Sequence, residues 1–513
     1  MLISDQLLLN YKRCHRRTFL ETFGNPQDQD PAKDFLLKLK RENHTHIRNV
    51  IQGRSLEPDF PQASRRDWQL NAQQTIELMH QGVDCIAQGS LAVDYSQWQS
   101  AIQDTLEPMI TDQAADFLSQ ITLIAAPSLL IKEPGTSIFG NWSYMPVNIK
   151  LGRKPKPEYK LIAAFHAQIL AIIQEQIPER SLLILKEHNS YQVNLAHGLT
   201  KMQETVEACL TMLAEHHEPE VFISRQRCSL CNWYGYCHQV AKASEHLSLI
   251  PGVTPKRYEY LQSLGVNTVQ SLVNIAPVHL EETLGYDVAQ QLKQQINAIQ
   301  SDRPVVRANF DLVNTQPIPS EAIELYFDIE AEPERQTDYL LGVLLVDRIN
   351  NTEQFHAFLA ENLEDEGKIW QEFLDFIALY PDAPIFHYSE YEADTIKRLA
   401  QLYDTPRKQK KEILSRLVDL HLWVTEAVIF PVESYSLKAL ANWIGFYWRE
   451  TTGSGDQSVC WYDQWLQTQD RALLDLILSY NEDDCRATRC LKDWLLDFME
   501  YQRNQKLELM VGK

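Results

Sequence analysis

The 513-residue chain lacks any apolar run long enough to span a bilayer, for which about 20 consecutive apolar residues are needed. It also lacks a charged-then-apolar leader, so the expectation is a cytoplasmic protein without a membrane partner. There is no surplus of positive charge: 48 Lys and Arg stand against 69 Asp and Glu, a formal net charge of −21. This excludes a protein that coats nucleic acid by bulk electrostatics, and any nucleic-acid site must be a local basic patch. Cysteine is scarce and odd in number, nine in all, which in a chain of this size reads as reduced thiols or metal ligands and not as a disulfide framework. What is present is ordinary core material, 44% hydrophobic, over a length that calls for two or three domains.

Residues 323–333, IELYFDIEAEP, organise the rest. Apolar residues run up to Asp328 and a second carboxylate follows at Glu330. Side chains two apart on a strand share a face, so both acids project together from the end of a buried strand. Two carboxylates this close repel unless a cation sits between them. The plain alternative is an edge strand with two solvated acids.

Residues 1–244 open with a helical stretch in which Cys14 lies among basic residues; alone it reads as a buried thiol. Residues 66–86 have the apolar spacing of another helix. Two strand-like runs follow, 121–132 and 142–150, separated by a turn. The second leads into a run where Lys150, Arg153, Lys154, Lys156 and Lys160 face a single Glu158. Such a run is either a solvated loop or, between a strand and a helix, a place where phosphates are met. The segment RQRCSLCNWYGYC then groups Cys228, Cys231 and Cys237 in a metal-binding spacing. His238 would complete a zinc site; Cys14 would complete an iron–sulfur cluster.

In residues 245–307, Gly252 and Gly265 occupy the turns of short helices, with Lys256 and Arg257 beside the first. Such turns either offer backbone N–H groups to phosphates or simply cap helices. From residue 308 to 500, the runs 338–347 and 352–361 read as strands antiparallel to the first. A helix follows, then a strand at 383–388 leading into a helix with Glu392 at its start and Asp394 two residues on. The last long helix carries Tyr480 and Asp484 four apart, on one face. Residues 501–513 form a tail.

Three resemblances follow from these residues. The set Cys14, Cys228, Cys231 and Cys237 resembles the iron–sulfur RecB-type nucleases of the PD-(D/E)xK superfamily, over almost all of residues 1–244. It implies a restriction-endonuclease-like fold stapled by a [4Fe–4S] cluster, with Zn2+ as the alternative. Where that family has acids, this chain reads Pro127-Ser128 and Asn148-Ile149-Lys150. The implied site at Ser128, Asn148 and Lys150 is therefore degenerate, since neutral oxygens are poor Mg2+ ligands. A domain that binds without cutting is implied, with Lys150, Arg153, Lys154 and Lys156 on nucleic acid. The middle segment resembles a helix-hairpin-helix module, with Gly252, Lys256 and Arg257 at phosphates.

Residues 308–500 resemble the DEDD 3′–5′ exonucleases of the RNase H-like fold, in the subclass with Tyr near the last aspartate. The resemblance implies that Asp328, Glu330, Glu392 and Asp484 hold two Mg2+ or Mn2+ ions and that Tyr480 orients the attacking water. Glu392 stands where the family usually has Asp. The whole order is similar to bacterial RecB-like nucleases with a C-terminal RNase H-like exonuclease domain. It implies an α/β multidomain 3′–5′ exonuclease on nucleic acid, single-stranded DNA ahead of RNA, with a non-catalytic N-terminal clamp. Two other functions stay open: a catalytically silent iron–sulfur nucleic-acid-binding protein, and a nuclease cutting from the N-terminal domain with atypical ligands.

Overall fold

The computed structural model describes residues 1–54, 57–102 and 112–511. The chain divides into two compact units, Met1–Val240 and Ala241–Lys513. No described helix is long and apolar enough to cross a membrane.

In the first unit, Ser4 caps the helix Asp5–Arg13 by accepting from the Leu7 N–H. Cys14 then breaks the helix with an extended backbone, and its sulfur accepts from the Arg17 N–H at the start of His15–Phe23. The helix expected over 66–86 runs Trp68–Gln81, because Gly82 takes a left-handed conformation (φ 71°) at its end and Cys85 begins a strand. The run 121–132 is two strands, not one. Pro127 has no N–H for a ladder, and the halves on either side of it join different sheets. Thr122–Ala125 lies between Leu2–Ser4 and Leu91–Asp94. Leu129–Ser137 pairs with Cys85–Ala87 and Gly140–Ile149 in a five-stranded sheet completed by Ser181–Ile184 and Ser190–Val193. The helix Pro157–Gln174 is buried along most of its length, and Phe165, Trp98 and Tyr144 anchor the core around it.

In the second unit, four short helices between Pro255 and Ser301 do not stand apart from the sheet that follows. Gln295 Nε2 donates to the Phe430 carbonyl at 2.6 Å, and Val305–Val306 pairs with Val428–Ile429. The sheet order is Thr352–Leu359, Thr337–Asp347, Ile323–Glu332, Ile385–His387, Leu417–Asp419. The first three strands are antiparallel, as their sequence suggested, and the last two run parallel to the central one. On the central strand Leu325, Phe327 and Ile329 enter one core and Tyr326 the other, so Asp328 and Glu330 share the second face. The expected tail is a continuation of the last helix, which runs Arg471–Val511 and is tied down by Arg503 to the carbonyls of Leu312 and Thr315.

Candidate active site

The central strand and the last helix bring three acids together. The carboxylates of Asp328, Glu330 and Asp484 each offer an oxygen within 4.8 Å of the other two. Glu330 and Asp484 are buried and Asp328 half-buried. Burial first, then mutual repulsion, raises Asp328 and Glu330 well above the usual carboxylate range, and burial lifts Asp484 to about 7. Protons on these groups are a poor substitute for a cation of matching charge. Hard, anionic oxygens that converge at a largely buried point suit a divalent ion such as Mg2+.

Neutral donors hold each acid in place. Asn481 Nδ2 donates to Asp328 Oδ2 at 2.7 Å and its amide also serves Glu330. Trp448 Nε1 donates to Asp484 Oδ1 at 2.9 Å. Ser458 serves Glu330 and bonds Tyr339 Oη at 2.7 Å. The Tyr480 hydroxyl bonds Asp484, and burial beside three carboxylates pushes its ionisation far up, so it stays a donor. Lys438 donates to the Gly453 carbonyl, rides over the Trp448 ring and favours the charged form of Asp484. Sequence spacing could reveal Tyr480 and Asp484, but not Trp448, Ser458 or Asn481, whose partners lie on other elements.

Glu392 is buried and senses Asp328, yet it is not a member of the close triad. Its Oε2 lies 3.4 Å from His387 Nδ1. Asp394 turns outward to Lys397 at 2.8 Å. Asp483 is turned away from the triad and bound by Arg449, as the 100° step of a helix requires.

In the first unit, Cys14, Cys228, Cys231 and Cys237 come close enough to influence one another's charge. Each sulfur has an N–H donor: Arg17 N on Cys14, Ser224 N on Cys228, the Trp233 backbone on Cys231 and the Arg16 guanidinium on Cys237. Arg16 Nε is buried beside them without an acceptor. Among the described residues no three of these sulfurs close to within 4.8 Å. Four thiolates around one zinc, each at about 2.3 Å, would sit about 3.8 Å apart.

Where the sequence leads to the expectation of a degenerate site, Ser128 Oγ accepts from the Ile149 N–H at 3.0 Å and Asn148 is buried. Lys150 follows, with Arg65 anchored to the Pro127 carbonyl at 2.6 Å. An acid that sequence reading missed stands near: Asp5, bonded to the buried His166 at 3.2 Å, is the main negative charge acting on Lys150. Only its place as the first acid after a capping Ser4 marks it in the sequence. Lys154 and Lys156 are exposed, and Arg153 lies 3.9 Å from Glu187. In the second unit, Gly252 (φ 91°) and Gly265 (φ 74°) make the expected turns. Arg257 staples the first by donating to the Gly252 carbonyl at 2.7 Å, while Lys256 lies over Tyr260 and points outward.

Comparison with curated proteins finds no match for the chain. Residues 325–496 match the family model of the RNase H superfamily. This span runs from the central strand through the last helix and contains Asp328, Glu330, Glu392, Tyr480 and Asp484. Domains of this kind process nucleic acid and usually employ divalent metal ions. The second unit therefore carries an RNase H-like domain, of the nuclease type, over residues 325–496.

Proposed function

We propose that the protein is a 3′–5′ exonuclease of the DEDD type, acting on single-stranded DNA through the C-terminal acids. The observation that carries this reading is the triad of Asp328, Glu330 and Asp484, oriented by neutral donors and backed by Tyr480. Asp328, Glu330 and Asp484, with Glu392 as the fourth, would hold divalent cations, which would supply the positive charge for activating water and steadying a departing oxygen. The residues do the rest. Asn481, Trp448 and Ser458 each bond to one or more of these carboxylates, which bring an oxygen apiece within 4.8 Å of one another. Tyr480 keeps its proton and donates a hydrogen bond to Asp484, which leaves its oxygen to accept from and orient a water without taking the proton away.

The N-terminal unit is the clamp in this reading, a RecB-like domain braced by a [4Fe–4S] cluster on Cys14, Cys228, Cys231 and Cys237. One N–H donor to each sulfur suits thiolates that carry the charge of a cluster. Lys150, Arg153, Lys154 and Lys156, with Gly252, Lys256 and Arg257 of the hairpin module, would meet phosphates. Cleavage from the N-terminal unit is disfavoured, because Ser128 is engaged by the Ile149 N–H and a single acid, Asp5, stands near Lys150.

The test is degradation of 3′- and 5′-labelled single-stranded DNA with Mn2+ or Mg2+, wild type beside Asp328→Ala. Stepwise loss from the 3′ end, absent in the variant, is expected. Binding by both without cleavage would replace this reading with that of a silent clamp.

A further inference from the structure

Asn481 is completely buried, one residue after Tyr480 on the last helix. Its Nδ2 bonds Asp328 and its amide also reaches Glu330, so one neutral group ties together the two acids of the central strand. Its Oδ1 is buried and finds no donor. That oxygen is pressed against the neighbouring strand at Gly342, the residue paired with Asp328 across the ladder. A Cβ built on Gly342 would lie 1.6 Å from Asn481 Oδ1 and 2.8 Å from its Cγ, distances no real contact permits. One turn further along the helix, the Cys485 thiol donates to the Gly342 carbonyl at 3.5 Å. Helix and strand thus meet at Gly342, with Asn481 where its Cβ would be and Cys485 on its carbonyl.

An unpartnered buried carbonyl is unfavourable, so close packing alone is a poor account of an asparagine here. An alanine or leucine would pack the same seam without an orphan oxygen. What the amide adds is a rigid, uncharged donor between two carboxylates. A lysine or arginine at this point would neutralise them and take the place of a cation; an amide aligns them and leaves their charge intact.

We infer that Asn481 is a positioning residue that locks Asp328 and Glu330 into one fixed spacing, and that Gly342 is the vacancy in the strand that lets it do so. The inference rests on the reading of the acids as an ion site. Fixed spacing matters most for Mg2+, which demands near-ideal octahedral geometry, and least for Ca2+, whose coordination is flexible. The pair therefore sets cation choice as well as affinity.

The test is calorimetric titration of the purified, chelator-treated full-length protein with Mg2+, Mn2+ and Ca2+. Wild type is compared with Asn481→Ala, Asn481→Ser, Gly342→Ala and the double variant Gly342→Ala/Asn481→Ala, each first shown to be folded by its thermal transition. Asn481→Ala and Asn481→Ser should weaken Mg2+ and Mn2+ binding about 10–100-fold, the usual effect of losing a group that orients a metal ligand. Ca2+ binding should fall distinctly less. Gly342→Ala should match them, and the double variant should be no worse than Asn481→Ala, because the atom that clashes is gone. Wild-type affinity and selectivity in Asn481→Ser, or independent effects that multiply in the double variant, would overturn this inference alone. Failure of the wild type to bind any of the three ions would overturn the ion-site reading and this inference together.

Discussion

Trp448 gives its indole N–H to Asp484 Oδ1 at 2.9 Å, both side chains being buried. That bond favours the charged carboxylate in a place where burial opposes it. Trp448→Phe keeps most of the packing and removes the donor. Mg2+ affinity should fall about tenfold, the low end for a group that orients a metal ligand. The Mg2+ concentration that half-activates cleavage measures it.

Asp484 itself links stability to pH. Its carboxyl rises from 3.8 to about 7 in the folded, metal-free protein. Between those values the folded state keeps a proton that the unfolded state has released, so stability contributed by the protonated acid is present below pH 4 and lost as pH rises through 7. Asp484→Asn is free of this loss. Urea denaturation in chelator should show the variant gaining on wild type from pH 4 to pH 7, by on the order of a few kcal/mol at most, and Mg2+ should reverse the ranking. A constant difference across that window would remove Asp484 as a raised acid.

Tyr480→Phe keeps the ring and deletes the hydroxyl that bonds Asp484. We expect kcat to drop about 100-fold with little change in KM, the signature of a group that acts on the water and not on substrate binding. Gly453→Ala should act alike, because its Cβ would lie 2.6 Å from the Tyr480 ring.

Cys231→Ser should strip the iron and the brown colour from anaerobically purified protein while the C-terminal site keeps its Mg2+ affinity. Colourless wild type holding one zinc would be the contrary result.

Lys150 is half-buried beside Asp5 with Arg65 and Arg13 near, and its desolvation lowers its affinity for a proton. Lys150→Ala should weaken single-stranded DNA binding about tenfold, as expected for a charged contact. The rate of cutting by saturated enzyme should be unchanged. Slower cutting with unchanged binding would point to an active N-terminal unit.

How far sequence reading reached is clear from particular residues. Asp328 and Glu330 were legible because strand period alone puts them on one face, and Tyr480 and Asp484 because helix period does the same. The bond from Trp448 to Asp484 was not, since 36 residues separate them and no periodicity links a loop to a helix. Asp5 escaped notice because it reaches Lys150 only through the fold. The run 121–132 misled because apolar residues on both sides of Pro127 hide a change of sheet. The continuation of the last helix past residue 500 was missed because its polar face has no apolar rhythm of its own, and its anchor, Arg503, finds partners almost 200 residues away.

That helix has one more consequence. It holds Tyr480 and Asp484 near one end and Arg503 toward the other, about 29–35 Å away at 1.5 Å per residue. Arg503 is bolted to the carbonyls of Leu312 and Thr315. That fastening steadies the helix that carries Tyr480 and Asp484 while touching neither of them. Cut short of that bolt, the protein would still own every ligand but lose the fastening at the far end of the helix that carries Asp484.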